Sequence, residues 1–297
     1  MLFLAALALA QSPYDPEIEA LLRRRDEKRA AQAQVLLQPK ADDKSLASVM
    51  PRETAERLSA CLAAADTRPD DGLAEAQKWA GENGGAYAAQ CKGYALGKAG
   101  RLTEAAAAFE SGASISGTDV ATQSRLWSQA GNAALAGGDV PRARADLDLA
   151  LGQPLPRTLS TGEIHLDRAR ARVASGDLKG ARDDMNEALN MAPADPLAWL
   201  LSATLARRMD DLPMARNHIE KAASLARNDA DIALEQGVIY ALSGDRDEAA
   251  RAAFTRARET APKGSAIPAK ATAYLAQLAP ADEKAVPAAP AKDATGR

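Results

Sequence analysis

Aromatic residues are scarce in this sequence. They make up 4% of the 297 residues, although hydrophobic residues make up 46%. Apolar burial must therefore come mostly from alanine, leucine and valine, which allow helices to pack at short interaxial distances. This composition favours thin stacked helices over a bulky globular core. The length allows either two ordinary domains or one continuous repeat array.

Excess charge of either sign is also lacking. The sequence has 37 basic and 40 acidic residues, which gives a formal net charge of −3. This near balance argues against a dedicated binder of nucleic-acid phosphates and against a polybasic protein of membrane surfaces. No basic stripe with interleaved aromatic residues is present either. We therefore expect no nucleic-acid partner.

Residues suited to catalysis or metal binding are few. The only histidines, His165 and His218, lie far apart, and their spacing suggests neither a metal cluster nor a Cys–His or Ser–His–Asp arrangement. The glycine pairs Gly84-Gly85 and Gly137-Gly138 lack the Lys-Ser/Thr sequence of a phosphate-binding loop and are interpreted as turn glycines.

Two acidic pairs, Asp183-Asp184 and Asp210-Asp211, are interpreted as ordinary residues of solvated helices. Taken with the scarcity of histidine and cysteine, they offer no catalytic constellation. The sequence predicts a protein that is not an enzyme, with no catalytic residue, no cofactor and no metal.

Long apolar runs are missing except at the very start. The opening residues MLFLAALALAQS contain an apolar run from Leu2 to Ala10 that ends in the small residues Ala8 and Ala10, the pattern that signal peptidase accepts. The run is far shorter than the roughly 20 residues that cross a bilayer. It predicts a signal peptide over residues 1–10, and hence a periplasmic protein that does not span the membrane. No Lys or Arg precedes the run, so the alternative is an unprocessed apolar N-terminus.

The rest of the chain divides by composition into three regions. Residues 11–45 are predicted to form a charged helix, over Pro16 to Leu37, and a hydrated linker. Residues 46–279 carry helical patterns throughout. Residues 280–297 are rich in Ala and Pro without a periodic apolar face, which predicts a disordered tail.

One unit recurs five times within residues 46–279. Each copy has a small residue, then a Gly or Asp seven residues on, then an alanine five residues further: Gly93–Gly100–Ala105, Gly131–Gly138–Ala143, Ala169–Gly176–Ala181, Ala203–Asp210–Ala215 and Gly237–Gly244–Ala249. The Gly or Asp ends a first helix, and the alanine lies early in a second. The register predicts an array of helix pairs.

These residues resemble the tetratricopeptide repeat, a 34-residue helix–turn–helix unit. Trp127 and Trp199 fall at its Trp position, Tyr240 at its Tyr position and Pro193 at its closing Pro. The resemblance implies an all-α, α-α superhelix of about five clear pairs. A degenerate pair, over Arg52 to Ala65 and Leu73 to Ala80, would precede them, and a capping helix, over Ile267 to Leu278, would follow.

The sequence also departs from this family. The alanines of the first three copies are 38 residues apart, whereas the last two intervals are 34 residues. In the last copy the large apolar residue, Phe254, comes one place late, which suggests a one-residue slip in the turn or second helix. His165 and Arg172 occupy positions that the family usually fills with apolar side chains, so the third pair is expected to pack loosely or to expose that edge.

The repeat register places the only two cysteines, Cys61 and Cys91, near the middle of the first helices of adjacent units. Since such helices run side by side in this family, the resemblance implies a disulfide that clamps the degenerate pair to the first clear one. Two buried free thiols are the alternative. A bond is expected only in an exported protein.

In this family, partners usually bind along the concave face that the first helices form. Carrying those positions over predicts a partner-binding surface that mixes aromatic, aliphatic and arginine side chains, which suits an extended peptide or a helix with some acidic character. An ordinary solvated face is the alternative. The residues selected from this surface are Tyr87, Gln90, Tyr94, Arg125, Asn132, Arg170, Arg207 and Arg208.

The function implied is a non-enzymatic protein–protein interaction scaffold of the cell envelope. Two alternatives remain open at this point. One is a cytoplasmic adaptor with the same repeats. The other is an accessory module of cell-wall or polysaccharide assembly that contacts glycan directly.

Overall fold

The structure is a computed structural model, and it describes residues 50–154, 159–244 and 246–278. The predicted signal peptide, the charged helix over Pro16 to Leu37 and the tail over residues 280–297 lie outside the described residues.

The described part of the chain forms thirteen α-helices and contains no strand. The first two form a leading pair, the next ten form the five clear pairs, numbered 1 to 5 in chain order, and the last helix stands alone. In chain order they are α1 (Arg52–Thr67), α2 (Pro69–Gly81), α3 (Gly85–Lys98), α4 (Leu102–Ala113), α5 (Val120–Ala136), α6 (Val140–Leu151), α7 (Leu159–Ala174), α8 (Leu178–Met191), α9 (Pro196–Arg208), α10 (Leu212–Leu225), α11 (Ala230–Ser243), α12 (Asp247–Thr260) and α13 (Ile267–Gln277).

The helices belong to two compact units. The first contains α1 to α8 and ends at Pro193, and the second contains α9 to α13 and begins at Ala194. The first unit thus holds the leading pair and pairs 1 to 3, and the second holds pairs 4 and 5 and α13. In both units consecutive helices pack against each other, as expected for a repeat array in which each pair contacts its neighbours.

The close-contact position of each pair is the small residue at the start of the sequence pattern. A Cβ atom added to Gly93 would lie 2.6 Å from the ring of Phe109, and one added to Gly237 would lie 2.5 Å from the ring of Phe254. Ala169 and Ala203 hold this position in pairs 3 and 4 and are fully buried. The small residue is therefore required because the large side chain of the second helix lies directly on the first helix.

The turn inside each pair is set by two neighbouring residues. Gly100, Gly138 and Gly176 adopt positive φ angles of 75°, 82° and 80°, a conformation that glycine reaches with little strain. In pair 4 the non-glycine Asp210 takes this conformation, with a φ of 60°. Asp210 therefore ends α9, as the pattern predicted.

An aspartate directly after this residue begins the second helix in pairs 2 to 4. Asp139, Asp177 and Asp211 each accept a hydrogen bond from the backbone N–H three residues on, which satisfies one of the unpaired donors at a helix start. Asp210 is exposed, and the structure adds to the predicted helix end at Asp210 a cap of the next helix by Asp211.

The last pair contains the expected slip, and the structure places it in the turn. The second helix begins three residues after Gly244, whereas α4 begins two residues after Gly100. As a result Ala250, which is fully buried, occupies the position that Ala105 and Ala143 hold in their pairs. The assignment of Ala249 to this position was wrong by one residue, and Phe254 is in register with Phe109.

The helix α13 covers the end of pair 5. Its Ile267 and Ala271 are buried, and Tyr274 stacks on Phe254 with ring centroids 5.0 Å apart. Arg251 donates a hydrogen bond to the Leu278 carbonyl just beyond the helix. These contacts give α13 the role of the predicted capping helix.

Candidate partner-binding face

The side chains predicted to bind a partner lie on the first helices of the pairs. In the first unit we call this surface the first-helix face and define it by Tyr87, Gln90, Tyr94, Arg125, Asn132 and Arg170. Hydrogen bonds involving side chains of this face link neighbouring first helices at three separate places, between α1 and α3, between α3 and α5, and between α5 and α7.

One end of the face is anchored on the leading pair. The Tyr94 hydroxyl donates to the Asp66 carboxylate at 2.8 Å, and the Lys98 ammonium lies 2.7 Å from the same oxygen. Burial raises the pKa of the Asp66 carboxyl, but these two donors outweigh burial and lower it. The lysine also lies 5.6 Å from the centroid of the Tyr94 ring. Tyr94 is thus held in place by a charged pair.

The middle of the face is formed by Gln90 and Arg125. Gln90 is buried, and its Oε1 accepts a hydrogen bond of 3.4 Å from Arg125 Nη2, which also contacts the Thr122 hydroxyl at 3.3 Å. Burial lowers the pKa of the Arg125 guanidinium, against weaker opposing effects of Tyr87 and Asp119. This arginine therefore carries a poorly compensated charge.

The other end of the face is a closed polar group. Asn132 donates to Asp167 at 2.7 Å, and Arg170 contacts both Asn132 and Asp167 at 3.3 Å. Asp167 is buried. Asn132 and Arg170 are therefore positioned by a carboxylate that the sequence analysis did not select.

Arg207 and Arg208 belong to the second unit. Arg207 pairs with Glu235 on α11 at 2.7 Å, and one terminal nitrogen of Arg208 is buried without a hydrogen-bond partner in the described residues. These two predicted residues thus differ in their environment, since only Arg207 has a carboxylate partner.

Solved structures show what this arrangement of helices is similar to. No family model matches the chain, and no curated protein matches it in sequence. BtubC (BKLC) from P. vanneervenii is 16% identical, with a TM-score of 0.57 over 70% of this chain and 96% of that protein. YrrB, described as a TPR protein with an unusual peptide-binding site, is 17% identical, with a TM-score of 0.51 over 66% and 95%. This chain has the tetratricopeptide-repeat fold. MamA from Desulfovibrio magneticus RS-1 is also similar, with 19% identity and a TM-score of 0.51 over 59% of this chain and 94% of that protein.

The two cysteines meet inside this tetratricopeptide-repeat fold. The Cα atoms of Cys61 on α1 and Cys91 on α3 are 6.1 Å apart, and their sulfur atoms lie within bonding distance. Both residues are fully buried, and both sulfur atoms lie against the Gly72 carbonyl of α2. The leading pair and pair 1 thus have the geometry of the predicted disulfide.

Pair 3 contains a buried charge cluster where tetratricopeptide repeats usually have apolar contacts. Asp184 on α8 is 2% exposed, and its carboxylate contacts His165 at 2.9 Å, Arg168 at 2.7 Å and Arg172 at 3.1 Å, all on α7. Burial raises the pKa of Asp184, but the bonds from His165 and Arg168 and the charge of Arg172 outweigh burial and lower it.

The cluster corrects two expectations. Asp184 is not a solvated residue, and the edge of pair 3 is closed by charge pairs rather than exposed. The sequence analysis noted His165 and Arg172 as departures but missed Asp184, because an Asp-Asp pair does not by itself indicate burial. The spacing of His165, Arg168 and Arg172 at three and four residues was the available signal.

Pair 2 contains a second buried aspartate in a different environment. Asp146 on α6 is 4% exposed, and one of its oxygens has no hydrogen-bond partner in the described residues. Burial and the neighbouring Glu110 carboxylate raise the pKa of Asp146 to about 7. Arg142 lies close but bonds to Glu110, at 2.5 and 2.8 Å.

A cavity of about 370 Å³ opens between α6 and α7. Its main cation, Arg168, uses its nitrogens on Asp184 and Asp148. The cavity therefore offers little uncommitted charge to a ligand. It is lined by Asp148, Leu151, Gly152, Gln153, Thr161, His165, Arg168 and Met191.

Within the described ranges, no group of His, Cys, Asp and Glu side chains has the arrangement of a metal site. In the same ranges no helix has both the length and the apolar character needed to cross a bilayer.

Proposed function

We propose that this chain is a non-enzymatic scaffold of the cell envelope that binds a peptide or helix of a partner protein on its first-helix face. The observation that carries the proposal is the row of polar side chains on α1, α3, α5 and α7, where a hydrogen bond links each first helix to the next. Rigid polar groups on a repeat scaffold suit recognition of an extended partner, because each pair adds one more contact along the chain.

The fold supports this proposal. YrrB has the same fold and a peptide-binding site, so a repeat array of this kind is able to present such a site. The face also carries two tyrosines and an incompletely compensated arginine, residue types that are enriched where proteins bind each other.

The envelope location is proposed from the predicted N-terminal signal peptide and from the cysteines. A structural disulfide between Cys61 and Cys91 would persist in an oxidising compartment such as the periplasm but not in the cytosol. Closing a 30-residue separation would stabilise the fold by about 3–4 kcal/mol in the chain-entropy model.

Site-specific photo-crosslinking in the native cell tests the binding face. A photoreactive side chain at Tyr94 on α3 is expected to form a specific crosslink to a partner protein. The matched control is Arg144 on α6, a half-exposed residue of a second helix, which is expected to form none. Equal crosslinking from both positions would place the interaction elsewhere.

N-terminal sequencing and non-reducing mass spectrometry of the same purified protein test the location. We expect a mature protein that begins at Gln11 and contains the Cys61–Cys91 bond. A retained Met1 together with two free thiols would instead identify a cytoplasmic adaptor.

A further inference from the structure

His165 occupies a repeat position that holds tryptophan in two other pairs. Trp127 of pair 2 packs against two clusters of buried apolar residues, and Trp199 of pair 4 meets His218 edge-on, with ring centroids 5.1 Å apart. In pair 3 the imidazole of His165 contacts Asp184 at 2.9 Å. Asp184 and His218 also share a repeat position, so His165 points the same way as the tryptophan of pair 4 but with a smaller ring.

The cavity between α6 and α7 lies against this smaller ring. Its volume of about 370 Å³ is within the range of ligand pockets in proteins. Leu151 and the thioether of Met191 give its wall apolar surface, and the side chains of His165 and Arg168 give it planar surface. All four side chains are partly exposed, so a ligand from solvent can reach them.

Hydrogen bonds within the charge cluster determine which ligand fits. The Arg168 nitrogens bond to Asp184 and Asp148 around the edge of the guanidinium plane, so the flat face of the group remains for stacking on a ring. His165 Nδ1 donates to the Asp184 carboxylate, which leaves Nε2 of a neutral imidazole as an acceptor. Nothing in the described part of the chain bonds to this nitrogen. The cavity therefore favours a neutral ring with a donor over a charged ligand.

We propose that this cavity binds a neutral aromatic ring that carries one N–H or O–H donor, as an indole or a phenol does. The ring stacks on the Arg168 guanidinium and contacts the Met191 sulfur, both favourable partners of an aromatic ring. Its donor bonds to His165 Nε2. The ligand thus supplies the aromatic surface that the tryptophans of pairs 2 and 4 supply from within the chain.

This site goes beyond the proposed function, because none of the residues that line the cavity belongs to the first-helix face. Two sources present the same ring chemistry. One is a free small molecule, and the other is a tryptophan or tyrosine side chain of a partner protein. The experiment therefore has an arm for each source.

Binding of indole to the full chain, measured by calorimetry, tests the proposal. N-methylindole lacks the donor and is expected to bind about 3- to 10-fold more weakly, the range for one hydrogen bond between neutral groups. An indole methylated on a ring carbon is the control, because it adds the same methyl group and keeps the N–H. An indole carboxylate is expected to bind more weakly than indole, since the cations of the cluster are already paired.

Variants locate the binding in the cavity. His165→Trp places the tryptophan of pairs 2 and 4 in pair 3 and is expected to abolish binding. Leu149→Trp is the matched control, because it adds the same ring at an exposed position of α6 that does not line the cavity, and it should bind indole as the wild type does. Gln153→Trp enlarges a lining side chain outside the charge cluster, whose hydrogen bond is to the nearby Leu149 carbonyl. It should weaken binding even if His165→Trp does not fold, which circular dichroism shows.

The outcomes are distinct. A wild type that does not bind indole at millimolar concentration, or folded His165→Trp and Gln153→Trp variants that bind it as the wild type does, would overturn the site. Equal affinity for indole and N-methylindole would contradict the bond to His165. Tighter binding of free indole than of N-acetyltryptophan amide supports the site as one for a small molecule, and the reverse order supports it as one for a side chain. The first-helix face is tested separately, by the crosslink at Tyr94.

Discussion

Asp146 and Asp184 occupy the same place in successive repeats, as the seventh residues of α6 and α8, yet their environments are opposite. Asp184 faces His165, Arg168 and Arg172, and its pKa is lowered. Asp146 has Glu110 beside it, and its pKa is raised to about 7.

The first helices explain the difference. The residues of α5 at the same repeat positions as His165, Arg168 and Arg172 are Trp127, Ala130 and Ala134. They bring no charge to Asp146. The same fold and the same residue type therefore produce a stabilised carboxylate in pair 3, at Asp184, and a carboxyl that resists ionisation in pair 2, at Asp146.

The largest effect is expected when the carboxylate of pair 3 is removed. Asp184→Asn leaves the half-buried Arg168 and Arg172 with only the more exposed Asp148 and Asp177 as counter-charges. This should lower the free energy of unfolding by about 3 kcal/mol, the lower end of the range for a broken buried pair. Urea unfolding followed by circular dichroism measures the change. The control is Asp183→Asn, since Asp183 is exposed and adjacent. Similar midpoints for both variants would show that the cluster contributes nothing.

A smaller effect tests the repeat register on which the comparison depends. In Gly93→Ala the new Cβ lies 2.6 Å from the Phe109 ring, so the variant should lose about 1–3 kcal/mol through overpacking. Gly97→Ala on the same helix is the control, because nothing lies within 4 Å of its added Cβ. It should gain about 0.5–1 kcal/mol from helix propensity. Equal effects of the two changes would contradict the close contact.

The smallest effect is expected at Asp146, and it depends on pH. The pKa of this carboxyl rises from 3.8 to about 7 on folding, so the folded state binds the proton more readily between these values. Stability contributed by the protonated group is therefore lost as pH rises through this window. Asp146→Asn cannot ionise and should be more stable than the wild type by about 1–2 kcal/mol above pH 7.

The pH dependence itself is the control for Asp146→Asn. The stability difference from the wild type should shrink as the pH is lowered toward the ordinary pKa of the carboxyl, because the wild-type group is then protonated. Urea midpoints measured on both sides of the window test this. A difference that is the same at both ends would show that the substitution acts through packing and not through charge.

Much of the fold was predictable from local pattern. The small residue, the turn glycine and the early alanine identified the pairs, because each of these requirements concerns residues within one helix–turn–helix. The predicted capping helix also appears, with one residue fewer at its end. Pair 5 was misassigned at Ala249 because the extra residue lies in a turn, where the pattern carries no signal for it.

The candidate face was only partly predictable. Its first-helix positions follow from the repeat register, but Asp66 and Asp167, which hold Tyr94 and Arg170, were not selected. The burial of the Arg125 guanidinium was not predictable either. A partner on a neighbouring helix, or the lack of one, depends on which side chains of adjacent repeats meet, and no spacing within one repeat reports that.

The sequence by itself determined the helix pairs, their turns and the small residues between them, because steric limits on the backbone and on close helix contacts act over short stretches of chain. Only the tertiary structure decided which charges are compensated, since that depends on residues 12 to 36 positions apart that meet in a medium of low dielectric. Asp146 and Asp184 look alike in the sequence and differ only in what the neighbouring helices bring to them.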